Sequence, residues 1–151
     1  MLCRITYSDI NLDDGNVVFS PLKAKAVITD RVFSENPEYV KNTLLLELEN
    51  LLEAEIIIIP SLESDMTGHA DTMVRFLDNQ TVLCNEALET DGFNRQLKTA
   101  LQYRGFDILE FPFAPTDDRS GGCYLNYLET DEAVFLPVFG IDADARAVAA
   151  A

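Results

Sequence analysis

One supersecondary order is written twice along this chain and begun a third time. Asn16–Ser20 and Ala24–Thr29 read as short strands joined by a turn at Pro21 to Lys23. A helix follows, with Pro37 in its first turn, Ser34 or Asn36 as its N-cap, and Tyr39, Leu44, Leu45, Leu48 and Leu52 near helical spacing. Glu55–Ile59, rich in β-branched residues and stopped by Pro60, closes the unit as a buried strand. The order then returns: Thr72–Leu77 and Thr81–Cys84 around Asp78-Asn79-Gln80, a helix over Phe93–Tyr103, and a strand over Asp107–Phe111 before Pro112. A third copy starts with Tyr124–Leu128, turns at Glu129–Asp131, continues as Ala133–Val138 and enters a helix near Asp142, leaving Ala147–Ala151 uninformative. The starts at Asn16, Thr72 and Tyr124 lie 56 and 52 residues apart, the spacing of an array built from one ββαβ unit. The units run over about residues 12–60, 68–113 and 122–151, the last incomplete. Periodicity alone fits an unrelated α/β domain with evenly spaced elements equally well, so the local residues must decide.

With 151 residues and 48% hydrophobic content, the chain has the length of one ordinary domain and enough apolar surface for a core. Its formal charge of −15 argues against nucleic acid or an anionic membrane as partner, because phosphate binding needs clustered Lys and Arg. Excess acid suits a cationic ligand, though a solvated acidic surface explains most of it. The longest apolar run, Ile56–Ile59, is far short of the roughly 20 residues that span a bilayer, and no signal segment opens the chain, so the expectation is a soluble cytoplasmic protein. Cys3, Cys84 and Cys123 are an odd number without CxxC spacing, which points to reduced thiols rather than a disulfide scaffold or zinc knuckle.

The segment Asp65-Met66-Thr67-Gly68-His69-Ala70-Asp71-Thr72-Met73-Val74-Arg75-Phe76 holds the only histidine, where the second unit begins. A lone histidine is usually structural, but Gly68, Asp71 and the flanking strand favour a functional one. If His69 and Asp71 lie on a strand, they project to one face. Asp65, Arg75 and Asn16 are weaker candidates for hydrogen bonding that shapes a site. A metal centre from His69, Asp65 and Asp71 would be poor for a transition metal, lacking further nitrogen or sulfur ligands.

The Gly-His-x-Asp segment, together with Leu12-Asp13-Asp14-Gly15-Asn16, Gly122-Cys123-Tyr124-Leu125-Asn126-Tyr127 and Leu136-Pro137-Val138-Phe139-Gly140, resembles in order the motifs of the agmatine deiminase and bacterial (Porphyromonas-type) peptidylarginine deiminase family of the guanidine-modifying superfamily. One departure is Asp14, which stands where the family usually has the first of two glycines. The resemblance implies part of a five-bladed α/β propeller, about two and a half ββαβ units, with the active site on the central axis. It also implies hydrolysis of a guanidino C–N bond in agmatine, peptidyl-arginine or free arginine, through a covalent cysteine intermediate and without metal or cofactor. His69 would carry the proton, work that suits imidazole near neutral pH. Asp71 would clamp the guanidinium through paired hydrogen bonds. Asp13, chosen over its neighbour Asp14, would come from the preceding unit to orient the imidazolium and approach the substrate with Asn16. Neither Cys84 nor Cys123 nor Cys3 matches the nucleophile, which is expected beyond Ala151. The chain would then be an internal section, inactive alone, whose unpaired faces invite self-association. The rival from another class is a propeller relative acting as a binding or scaffold protein; the joint presence of His69 and Asp71 favours the enzyme.

Overall fold

A computed structural model describes residues 7–62, 65–86, 92–114 and 123–151. Two three-stranded sheets of identical topology carry the molecule. In the first, β1 (Val18–Phe19) runs antiparallel to β2 (Lys25–Thr29), and β2 runs parallel to β3 (Glu55–Ile59). Between β2 and β3 the chain passes through α1 (Arg31–Glu35) and α2 (Lys41–Leu52). In the second, β4 (Val74–Phe76) is antiparallel to β5 (Thr81–Asn85), which is parallel to β6 (Asp107–Phe111) after α3 (Gly92–Tyr103). The hairpin of β7 (Leu128–Glu129) and β8 (Val134–Phe135) then leads into α4 (Ala143–Ala150).

The central strands have helices on both faces, which explains their unbroken apolar runs. Ala26, Ile28 and Ile56 pack with Leu44 and Leu48 of α2. The alternating set, Val27, Ile57 and Ile59, faces the second unit and packs with Val74, Val82, Leu97 and Leu101. The two units therefore share a core. α4 repeats this arrangement one unit on: Ala143 and Ala147 pack with Leu83, Phe111, Tyr124 and Leu125. Coverage is thinner there. Leu109, which occupies in β6 the register position of Ile57 in β3, is 51% exposed against 1%.

Several elements differ from their sequence-based expectation. The strand expected over Asn16–Ser20 shrinks to β1 because Asp14–Asn16 curls into a 3-10 turn, with Asn16 N–H donating to the Asp13 carbonyl at 3.1 Å. The same thing happens before β4, where Ala70–Thr72 form a 3-10 turn. Pro37 does not open α2; it lies in the turn after α1. Asn36 is the C-cap of α1 rather than an N-cap, and its buried amide exchanges hydrogen bonds with the backbone of Asn11 at 2.7 and 2.8 Å. Of Tyr124–Leu128 only the last residue is in a strand, because Tyr124 turns inward and donates from its hydroxyl to Asp144 at 2.7 Å. The terminal alanines are not featureless, since they form α4. Among the described residues no helix is long and apolar enough to cross a membrane.

Candidate active site

The two 3-10 turns bring the site together. Asp13 caps the first with extended backbone, φ −75° and ψ 140°, and His69 caps the second at φ −81° and ψ 151°. These caps sit at equivalent places in successive units, and their side chains meet: His69 Nε2 lies 3.2 Å from Asp13 Oδ2. The imidazole is mostly enclosed, whereas Asp13 is 58% exposed. Gly15 makes this approach possible. A β-carbon there would stand 2.5 Å from His69 Nδ1 and 3.1 Å from Asp71 Oδ2, so the first turn offers bare backbone to both groups. Asp14 has no positive φ, so the residue replacing the family's first glycine is unstrained; its carboxylate accepts the Gly15 N–H at 2.9 Å.

Asp71 reaches the His69 neighbourhood through the 3-10 turn, not through the strand alternation expected from sequence. It is partly buried, and burial pushes its carboxyl above the usual range; the His69 charge opposes this, while Asp14 and Asp65 add to it. A clustered, partly desolvated carboxylate of this kind is suited to a cation. Asp71 also borders an open cleft of about 490 Å³, whose other walls include Val18, Phe19, Arg75, Asn126 and Glu129.

The weaker candidates act as braces. Asn16 is completely buried, and its Oδ1 accepts the Thr29 N–H at 3.0 Å. Asp65 accepts from Thr67 N–H at 2.9 Å and from the Thr67 hydroxyl at 2.8 Å, pinning the loop that carries His69. Burial works against its charge, but these bonds and those from Gly68 and Thr72 outweigh it and hold the carboxyl below the usual range. Arg75 stacks 3.6 Å over the Tyr127 ring, donates to the Tyr127 carbonyl and lies 3.5 Å from Glu129, clasping the third unit to β4. From sequence, Gly15 enters only as a member of its motif, without a role, and Thr29 does not stand out as more than a strand residue. A threonine inside a buried apolar strand was the available signal for the second.

Neither described cysteine is poised as a thiolate. Burial pushes the Cys84 thiol up to about 12. Cys123 is raised by burial, with Asp71 and Asp65 adding to the effect, and its thiol donates to the Thr72 carbonyl at 3.1 Å. Cys3 lies outside the described residues, as does Gly122 of the third motif. Among the described residues no group of three or more His, Cys, Asp or Glu is gathered to hold a metal ion.

Comparison with solved structures finds the same fold in agmatine deiminases. The chain is similar to C. jejuni agmatine deiminase with a TM-score of 0.75 and 23% identity, covering 95% of this chain and 48% of that one. A substrate-bound variant of that enzyme gives 0.76 at 23% identity, with the same coverage. Agmatine deiminase of Enterococcus faecalis gives 0.75 at 16% identity, covering 89% of this chain and 47% of the other. At such identities the likeness concerns the fold, and the chain spans about half the length of these relatives. No curated protein matches significantly. The family model of Porphyromonas-type peptidyl-arginine deiminase matches residues 22–151, most of the chain. By that match, and with the α/β fold of these enzymes, the chain belongs to the Porphyromonas-type peptidyl-arginine deiminase family.

Proposed function

We propose that this chain supplies the proton-carrying and cation-clamping part of a site that hydrolyses a guanidino C–N bond to a ureido product and ammonia. The observation that carries the reading is the 3.2 Å approach of His69 Nε2 to Asp13 Oδ2 across two units, with Asp71 beside the same ring. Agmatine is the leading substrate, because the three solved relatives named above are agmatine deiminases and one holds its substrate. Peptidyl-arginine is the other, from the family's name.

In the proposed reaction a thiolate attacks the guanidinium carbon, and Asp71 holds two N–H groups of the planar cation. His69, oriented by Asp13, gives its proton to the departing nitrogen; the C–N bond breaks and ammonia leaves. Water then attacks the amidino carbon while His69 takes its proton, and the C–S bond breaks to release the ureido product. The raised thiols of Cys84 and Cys123 make both unsuitable for the first step, Cys3 precedes every motif, and the chain spans about half the length of its solved relatives, so the nucleophile is assigned to the other part of such a protein, one that also completes the five-bladed ring. The exposed Leu128, Phe135 and Val138 give that section, or another copy, an apolar surface to cover. The free thiols of Cys84 and Cys123 suit a cytoplasmic setting.

Joining the chain to the complementary section of a family relative and measuring ammonia release from agmatine and arginyl peptides tests the reading. His69→Ala and Asp71→Asn should each lower kcat/KM by about 10²–10⁴-fold, the range for a positioned acid–base group. Unchanged release in both folded variants would sink it.

A further inference from the structure

The end of β2 hides a polar side chain in an otherwise apolar strand: Thr29 is fully buried beside Val27 and Ile28. Its hydroxyl lies 2.9 Å from Asn16 Oδ1 and 2.9 Å from the Gly68 carbonyl oxygen. A hydroxyl has one proton to donate. Asn16 Oδ1 already receives the Thr29 backbone N–H, so donation to Gly68 satisfies the most partners.

These two contacts fall on the two turns of the site. Asn16 ends the first turn, which Asp13 caps, and Gly68 immediately precedes His69, which caps the second. Gly68 has φ +59°, a conformation open mainly to glycine, so the backbone entering His69 is tightly defined. One buried residue thus grips both halves of the pair from behind, the first turn through its backbone N–H and the second through its hydroxyl. We infer that Thr29 is a positioning residue whose hydroxyl sets the spacing of Asp13 and His69.

The same device recurs one unit on. Asn85 ends β5 as Thr29 ends β2, and its Nδ2 donates to the Thr72 carbonyl at 2.8 Å. Cys123 of the third unit donates to that same carbonyl at 3.1 Å. At both junctions, hydrogen bonds hold together the end of the central strand, the 3-10 turn of its own unit and a group from the next unit, at Thr29 in the first and at the Thr72 carbonyl in the second.

The purpose assigned to Thr29 rests on the proposed reaction, but the test does not need turnover. Because the chain has one histidine, ring ¹⁵N labelling of the full chain gives a single imidazole spectrum. Asp13→Asn should shift these signals in the wild-type background and in Thr29→Ser, which keeps the hydroxyl. The shift should be lost in the near-isosteric Thr29→Val. An equal shift in all three backgrounds would overturn the role of Thr29 alone, whereas no shift in the wild type would remove the Asp13–His69 contact and the functional reading with it. Should Thr29→Val fail to fold, the wild-type chain decides: the Thr29 hydroxyl proton should exchange slowly and show a nuclear Overhauser effect to the Gly68 α-protons. A hydroxyl proton exchanging at the solvent rate would refute the inference.

Discussion

The turns Asp14–Asn16 and Ala70–Thr72 have one backbone and two chemistries. Each follows an extended cap residue, closes with an N–H to carbonyl bond, Val17 to Asp14 at 3.0 Å and Met73 to Ala70 at 3.0 Å, and feeds a short strand. Position by position the side chains diverge. An acid, Asp13, faces an imidazole, His69, at the caps, and Gly15 stands where the other turn has Asp71. Two acids at the caps would repel at such a distance, and a side chain at position 15 would fill the space that the His69 ring and Asp71 use. Repetition of the fold places two turns against each other; the side-chain differences make a site of their meeting.

The sharpest way to break this comparison is to exchange the caps, Asp13→His with His69→Asp. The exchanged pair could still meet, so a cooperative transition should remain in thermal unfolding, with a cost set by the carboxylate at the mostly enclosed position 69. Ammonia release in the reconstituted enzyme should nevertheless fall as far as in His69→Ala, about 10²–10⁴-fold, because the imidazole would no longer follow Gly68 and precede Asp71. Retained activity would mean that the turns are interchangeable.

A smaller change tests the glycine. In Gly15→Ala the new methyl would sit 2.5 Å from His69 Nδ1, so the ring has to move, and a misplacement near 1 Å costs about 10² in rate. Gly92→Ala is the control, since a β-carbon there meets nothing within 4 Å and activity should be unchanged. Equal rates for both variants would show that the first turn does not need its bare backbone.

Much of this was legible in the sequence, and the failures share one cause. Glu55–Ile59 and Asp107–Phe111 have the boundaries expected from sequence, because each is a short run stopped by a proline, the first of them buried and β-branched. The residues Asp13, His69 and Asp71 were named from motifs, and the structure gathers them. The segments around 16, 72 and 124 were over-extended as strands because their polar residues are used for turns and cross-ties, which period two cannot register. The roles of Thr29 and Gly15 are not legible for a related reason. What they do depends on a partner 39 or 54 residues away, Gly68 or His69, and no local pattern carries that information.

Asp71 shows where the second turn departs from ordinary stability, and here the expected effect is smallest. Burial raises its carboxyl above the usual range. As pH rises from below about 3.9, the ordinary carboxyl value, the unfolded chain releases this proton before the native chain does. Stability from the protonated form is therefore fully present below the unfolded value and is lost as pH climbs through the raised native one. Asp71→Asn cannot ionise and escapes that loss. Its melting temperature relative to the wild type should accordingly rise between pH 3 and pH 7. Gly15, at the matching place in the first turn, has no such group to titrate, so the effect belongs to the second turn alone. A pH-independent difference, or one that shrinks toward neutrality, would mean that the Asp71 carboxylate is not held at an energetic cost for a cation.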